Sequence, residues 1–453
     1  MTGIENALAQ FASFVWGMPL VVLLLGGGLT LLLFSRGAPY RLLPHAIGLL
    51  RGDARHQDQD APGQLSHFQA LSAALAGTIG LGNIAGVAVA VELGGPGAIF
   101  WMWMTAVVGV ATKFFTGTLA VMYRGRDDQG GLRGGPMWVI HEALSARYRP
   151  LAYLFCVAGL IGCLPSLQVN QLVETTQALV LAPRGWDHDL APLILGLIIM
   201  LACWLIVRGG IVRIGAVAAR VVPTMCVIYL LAIGGILLVH WSAVVPALLS
   251  IFREAFSLQA AGTGGLVAII LLGVRRGLFS NEAGIGTEVM AHGTARTSEP
   301  VREGIVAMLG PIIDTLIVCT ATALALLVTD VASVSELSGA SLTSQAFESV
   351  YAGYGVALLY LMVLIFGVTT ITTYWFYGAQ CAVYLFGARA EIWYRTLYLL
   401  SIVFVAMLPL HAALNLIDGM YALMAIPTMT ATLLLAPKVL AASRDYVVRM
   451  RQV

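Results

Sequence analysis

Charge is what this sequence has least of. Asp, Glu, Lys and Arg make up 11% of its 453 residues, where soluble domains carry roughly 25%. So few polar groups cannot cover a water-facing surface, which excludes a soluble globular protein. The formal net charge is +2 and the basic residues form no stripe, so nucleic acid is not an expected partner. Cysteine is sparse as well. Cys156, Cys163, Cys203, Cys226, Cys319 and Cys381 all fall in apolar segments, and none forms C-x-x-C or a Cys/His metal spacing. They read as small core residues. With no G-x-S-x-G elbow and no His/Asp/Glu metal cluster, an enzyme is not expected. No basic residue precedes the first apolar run, near Phe14, and no A-x-A site closes it. It reads as a retained helix rather than a cleaved signal.

What is present in abundance is apolar sequence. Hydrophobic residues are 59% of the chain, in runs near 14–35, 70–92, 97–123, 151–182, 191–207, 215–240, 263–292, 304–329, 353–386, 394–411 and 415–437. A bilayer needs about 20 apolar residues per helix. Runs this long and continuous are not barrel strands. The expectation is an all-α polytopic membrane protein with about eleven spans and lipid as its surroundings. Connections 36–69, 124–150, 208–214, 293–303, 387–393 and the tail 438–453 hold most of the Lys and Arg, among them Arg36, Arg41, Arg51, Arg124, Arg126, Arg133, Arg147 and Arg149. The alternate connections hold almost none, Arg184 and Arg253 apart. By the positive-inside rule the N-terminus is outside, the C-terminus is cytoplasmic, and the span count is odd. A bacterial inner (plasma) membrane is the expected location.

Two stretches interrupt this apolar background. The first, GTIGLGNIAG at Gly77–Gly86, contains G-x-G-x-x-A at Gly80, Gly82 and Ala85. A dinucleotide fingerprint needs a strand before it and an acid about 20 residues on. Here the flanks are helical and the later region reads WMWMTAV, so a nucleotide loop is rejected. Close glycines also allow helices to approach one another, and that structural reading stays open for the glycines alone. The functional reading is a broken helix. Glycines disfavour continuous helix, and peptide groups freed at mid-membrane are tolerated only where they line a cavity or bind something. Freed N–H groups favour a carboxylate; freed carbonyls favour a hard cation.

The second stretch, RRGLFSNEAGIGTE at Arg275–Glu288, combines Gly277, Gly284 and Gly286 with Ser280, Asn281 and Glu282. Setting the first helix aside, the breaks fall in helices one and six of ten, about 200 residues apart. Interrupted helices at corresponding positions of two halves point to an inverted-repeat transporter. The expected organisation is residues 1–69 as an extra helix and connection, 70–240 as a first five-helix repeat, 241–437 as its inverted partner, and 438–453 as a cytoplasmic tail.

FQALSAALAGTIGLGNIAGVAVA, LGGPGAIFWMWMTAVVGVATKF, GGPMWVI, GLFSNEAGIG, AHGTART and PVREGIVAMLGPIIDTLIVCTATAL together resemble the alanine/glycine:cation symporter family, over most of the chain from about Phe68 to Gly387. GLGN at Gly80–Asn83 is also similar to the first core helix of the neurotransmitter:sodium symporters. The resemblance implies a LeuT-like fold and symport of a small neutral amino acid with Na⁺ as coupling ion, without another cofactor. It implies that Gly80, Leu81 and Gly82 offer backbone N–H groups to the substrate carboxylate, with Thr78 and Asn83 nearby. It implies that Asn281 of SNEAG, Gln168 of LQVN, Thr370 and the aromatic Tyr374 face the substrate. The Na⁺ ligands it implies are the carbonyls of Ala76 and Ile79 with the hydroxyls of Thr369, Thr370 and Thr373.

The departures from the family pattern are Thr372, Thr373 and Tyr374 after TTI, Thr287, Glu288 and Val289 after NEAGIG, and Glu92 before GGPG. They make the wall more polar and add acids, so proton-coupled symport of a larger or more polar amino acid is the alternative. An amino-acid-gated channel is the alternative of another class, although no repeated filter motif is present. Intramembrane charges are functional candidates by default. Even so, Arg275, Arg276, Glu282 and Glu288 read first as an ion network holding the break, Lys113 and Asp314 as packing or gating residues, and His292 as a helix end. The Thr369–Thr373 hydroxyls could equally bond back to their own helix.

Overall fold

A computed structural model describes residues 3–51, 61–256, 265–331, 337, 339–407 and 411–452. The chain is almost entirely helical. Its first apolar run forms α1 (Glu5–Phe34) and the amphipathic connection after it α2 (Ala38–Arg51). Ser66 opens α3 (His67–Thr78) through a capping box: its hydroxyl accepts from the Gln69 N–H at 3.2 Å, and the Gln69 side chain accepts from the Ser66 N–H at 3.0 Å. After the glycines the chain resumes as α4 (Gly82–Gly94), bent from α3 by 53°.

Gly95 turns at φ +65°, and Pro96 starts α5 (Gly97–Met122). A small hairpin (Gly125–Arg126 with Leu132–Arg133) leads to α6 (Pro136–Ala143). Then follow α7 (Ala146–Arg184), α8 (Ala191–Val207), α9 (Gly210–Val239), α10 (Trp241–Glu254), α11 (Gly265–Asn281) and α12 (Thr287–His292). The remainder is α13 (Pro300–Val328), α14 (Gly339–Glu348), α15 (Gly355–Phe386), α16 (Ala390–Met407), α17 (His411–Leu423) and α18 (Ala425–Arg451).

Among the described residues, eight helices are long and apolar enough to cross a membrane, and nine if the bent pair α3–α4 is one span. The two other apolar runs correspond to α8, a shorter apolar helix, and to α11 with α12; positions 263 and 264 of the latter run lie outside the described residues. Residues 438–451, read from sequence as a tail, continue α18 without a break. No proline or glycine follows Pro437 to stop the helix.

Large apolar side chains such as Leu231, Leu238, Trp241, Leu397 and Phe404 are exposed on the outside, where lipid rather than water suits them. Inside, α5 is buried along most of its length, Thr105 to Val121, and packs along α11 and α13. Small residues set that approach: a Cβ on Gly277 would stand 2.3 Å from the Thr105 hydroxyl. This central helix holds both interruptions against each other.

Candidate functional site

Both glycine-rich stretches are breaks. α3 stops at Thr78, and Ile79 is extended (φ −78°, ψ 104°). Asn83 then organises the turn. Its Oδ1 accepts from the Gly80 N–H at 2.9 Å, and its Nδ2 donates to Asp314 Oδ1 at 2.6 Å. The first turn of α4 leaves N–H groups without intrahelical partners. In the second break Glu282, Gly284 and Gly286 all take positive φ (56°, 87° and 101°). For Glu282 this conformation is strained, and it is held from both sides. The Asn281 Oδ1 accepts from the Ala283 N–H at 3.0 Å, and Thr428 on α18 donates its hydroxyl to the Ile285 carbonyl at 2.9 Å.

The breaks meet. Asn83 Nδ2 lies 3.3 Å from the Ser280 hydroxyl, and a Cβ on Gly82 would stand 3.8 Å from the Phe279 ring. On the other side Thr370 of α15 donates to the Ala76 carbonyl at 3.0 Å, and a Cβ on Gly80 would stand 2.7 Å from its Oγ1. Beside the junction is a cavity of about 240 Å³ lined by Gln168, Arg275, Phe279, Tyr374, Asp418 and Tyr421, among others. Gln168 is buried, and its Oε1 accepts from no described residue.

The residues expected from sequence divide into groups. Gly80, Leu81, Gly82 and Asn83 form the first break. Gln168 and Tyr374 share the cavity. Thr370 alone of the threonines is seen bonding across to α3. Thr369 bonds to the Ile365 and Phe366 carbonyls, and Thr372 and Thr373 to the Thr369 carbonyl, all within α15; Thr78 likewise turns back to Leu75. Thr373 nevertheless lies at α3, its methyl 3.3 Å from a Cβ built on Gly77. Carbonyls and hydroxyls, all oxygen, are the donor set a hard cation takes, so Ala76, Ile79, Thr370 and its neighbours fit Na⁺ by chemistry.

Asn281 is engaged inside the protein, its Nδ2 donating to Thr105 at 3.1 Å and Thr315 at 3.3 Å. Tyr374 turns its hydroxyl to Glu282 (2.8 Å). Arg275 and Arg276 face Asp418, not the acids of the break, so the ion network expected across it is absent among the described residues. Glu92 is exposed.

Two constellations escaped the sequence. Asp314 of α13 gathers Asn83, the Ser280 hydroxyl (2.7 Å) and the Thr315 hydroxyl (2.7 Å); a lone Asp in an apolar run was the signal for it. At the other end Glu303 takes the Nδ1 of His292 at 2.6 Å and the Nδ1 of His67 on its other oxygen. The outer ends of α3 and α12 are thereby tied to one carboxylate. Just beyond the membrane-spanning part of α5, Arg124 binds the carbonyls of Pro62 (2.9 Å), Gly293 (2.8 Å), Ala295 and Thr297. Burial pulls its guanidinium down to about 10, against the upward pull of Glu303, so it stays charged near neutrality.

A family model described as the sodium:alanine symporter family matches residues 1–453. The chain belongs to the sodium:alanine symporter family. Among its curated relatives, the sodium/alanine symporter AgcS of Methanococcus maripaludis is 37% identical over 96% of this chain and 95% of its own length. The probable sodium/glutamine symporter GlnT of Bacillus subtilis is 33% identical over 98% of this chain and 91% of its own. Of solved structures, MhsT in complex with L-phenylalanine superposes with a TM-score of 0.58 at 12% identity, covering 84% of this chain and 98% of MhsT, which establishes the LeuT-like fold. As a sodium:alanine symporter family member the chain is an integral membrane transporter and not an enzyme.

Proposed function

We propose that this transporter couples movement of a small neutral amino acid, alanine- or glycine-like, to Na⁺ by alternating access. The observation that carries the reading is the junction itself: two interrupted helices touching at Asn83–Ser280, with Thr370 laid over the Ala76 carbonyl beside them. A zwitterion brings a carboxylate and an ammonium close together. N–H groups at the start of α4 and a neighbouring Na⁺ answer the first, and carbonyl and amide oxygens, Gln168 Oε1 included, answer the second. Neutral dipoles and the Na⁺ suffice to answer both ends of the zwitterion.

Within the five-plus-five repeat, 70–240 and 241–437, alternating access rocks one helix bundle against the other. The Arg-rich connections put the N-terminus outside and the C-terminus in the cytoplasm of a bacterial inner membrane. A second reading, a larger or more polar amino acid, is favoured by the cavity lining, where Gln168, Asn415, Arg275 and Asp418 stand together. Thermal-shift screening of the twenty amino acids with and without Na⁺ separates the two readings. Uptake into proteoliposomes with Na⁺ removed at constant pH tests the coupling. Undiminished uptake without Na⁺ overturns it, and the absence of saturable counterflow would indicate a channel.

A further inference from the structure

The site described above leaves one buried acid unused. Glu288 stands in the first turn of α12 and is 1% exposed. Neither of its carboxylate oxygens has a hydrogen-bond partner among the described residues. Its own N–H and that of Val289 are turned towards it without reaching hydrogen-bond geometry. The charged groups facing it are Lys113 from α5 and Glu282 from the break, and Tyr377 faces it from α15 with a hydroxyl that is also unpartnered. From α3 the one titratable side chain is His67, which is bound to Glu303, as is His292 at the far end of α12.

The neighbourhood is short of positive charge. Glu282 and Asp314 are as buried as Glu288, and Lys113, at 1% exposed, is the cation all three acids share. Fully ionised, three acids and one lysine leave a charge of −2 in the interior. One Na⁺ makes up half of that. The three acids are not equivalent. Glu282 accepts the hydroxyls of Tyr374 and Thr287, one on each oxygen, and Asp314 accepts Asn83 on one oxygen and Ser280 and Thr315 on the other. In both, donors replace part of the water lost on burial. Glu288 has no donor in hydrogen-bond geometry among the described residues, and an ionised carboxylate left so is the costliest arrangement of the three. The second positive charge therefore belongs on Glu288.

Hydrogen-bonding groups lead from the cavity towards it. Tyr374 lines the cavity and donates to Glu282 Oε1 at 2.8 Å, and Glu282 Oε2 takes the hydroxyl of Thr287, the residue before Glu288, at 2.6 Å. On the opposite side the Glu303 and Arg124 contacts close the way. We propose that Glu288 is a proton-binding site, and that its proton crosses the membrane together with the amino acid and Na⁺. On one side a proton from water adds to a carboxylate oxygen to give the neutral acid. On the other, once α12 is exposed, the O–H bond breaks and the proton returns to water. With Na⁺ and this proton in place the interior charge is zero. The proposal rests on the Na⁺-coupled symport reading.

The test uses the full chain in proteoliposomes with the membrane potential clamped at zero and a pH-sensitive dye in the lumen. Na⁺ is added with L-alanine or L-glutamine, in parallel. The expected result is lumenal acidification of one proton per amino acid accumulated. Glu288→Gln is expected to abolish the acidification while keeping Na⁺-dependent thermal stabilisation by the amino acid, and Glu288→Asp to restore it. Accumulation with an unchanged lumenal pH overturns the proton site and leaves the symport reading standing; so does acidification that persists in Glu288→Gln. Accumulation of neither amino acid overturns both.

Discussion

Two amide side chains separate binding from positioning. Gln168 lines the cavity and its Oε1 has no partner among the described residues, whereas the Asn281 amide is spent on Thr105, Thr315 and the Ala283 N–H. Gln168→Ala is therefore expected to weaken amino-acid binding about tenfold, the equivalent of one hydrogen bond of about 1.4 kcal/mol, with an unchanged melting temperature. Asn281→Ala is expected to weaken binding and also to lower the melting temperature, because it leaves the buried Ala283 N–H unpaired and takes a donor from the Thr105 and Thr315 hydroxyls. Isothermal titration and thermal unfolding of the two variants check this; equal unfolding temperatures would place Asn281 at the ligand. Thr370 makes a third case. Its hydroxyl joins α15 to the Ala76 carbonyl, so Thr370→Ala should raise the Na⁺ concentration needed for half-maximal stabilisation several-fold, and Thr370→Ser should restore it. Titrations that overlay the wild type would remove Thr370 from the cation site.

At the level of elements, the glycines of α12's entry matter for conformation more than for packing. Gly286 sits at φ +101°, and a Cβ there would stand 2.3 Å from the Thr428 hydroxyl, which itself caps the Ile285 carbonyl. Gly286→Ala imposes backbone strain and displaces that cap, together about 2 kcal/mol or more. The expected outcome is a melting temperature lowered by several degrees and loss of Na⁺-dependent stabilisation. A variant as stable as wild type would mean that the turn has slack the structure does not show.

The elements were legible where local chemistry decides. Apolar runs gave the helices, and glycine clusters at 77–86 and 277–286 gave the breaks, because glycine's helix penalty acts on the residue itself. What stayed hidden was long-range. Asp314 looked like a packing residue because its partners, Asn83 and Ser280, are 231 and 34 positions away. Nothing local tied Glu303 to His67, 236 positions away. The threonines of α15 were legible as hydroxyls but not in direction. Thr369 and Thr373 bond back within their helix and Thr370 does not, a choice set by which face meets α3.

In the whole molecule the two ends of the site are unlike. On the side of α11 and α17 a cavity reaches Gln168 and Tyr374. On the side of the Arg-rich connections, Leu65 pairs with Ala295, Arg124 gathers four carbonyls, and Glu303 ties His67 to His292. If those connections are cytoplasmic, the structure is closed to the cytoplasm and approachable from outside. Thiol labelling reads this directly, since all six native cysteines are buried and a buried thiol is inert. Leu414 lines the cavity and is partly exposed. Leu414→Cys should react with a membrane-impermeant maleimide added to right-side-out vesicles, whereas the unsubstituted protein should not. Na⁺ with the transported amino acid should slow the reaction several-fold, because occupancy closes the cavity over its ligand. Reaction in inverted vesicles alone would reverse the orientation drawn from lysine and arginine. A rate indifferent to Na⁺ and amino acid would detach this cavity from the transport path, and with it the contribution of Gln168.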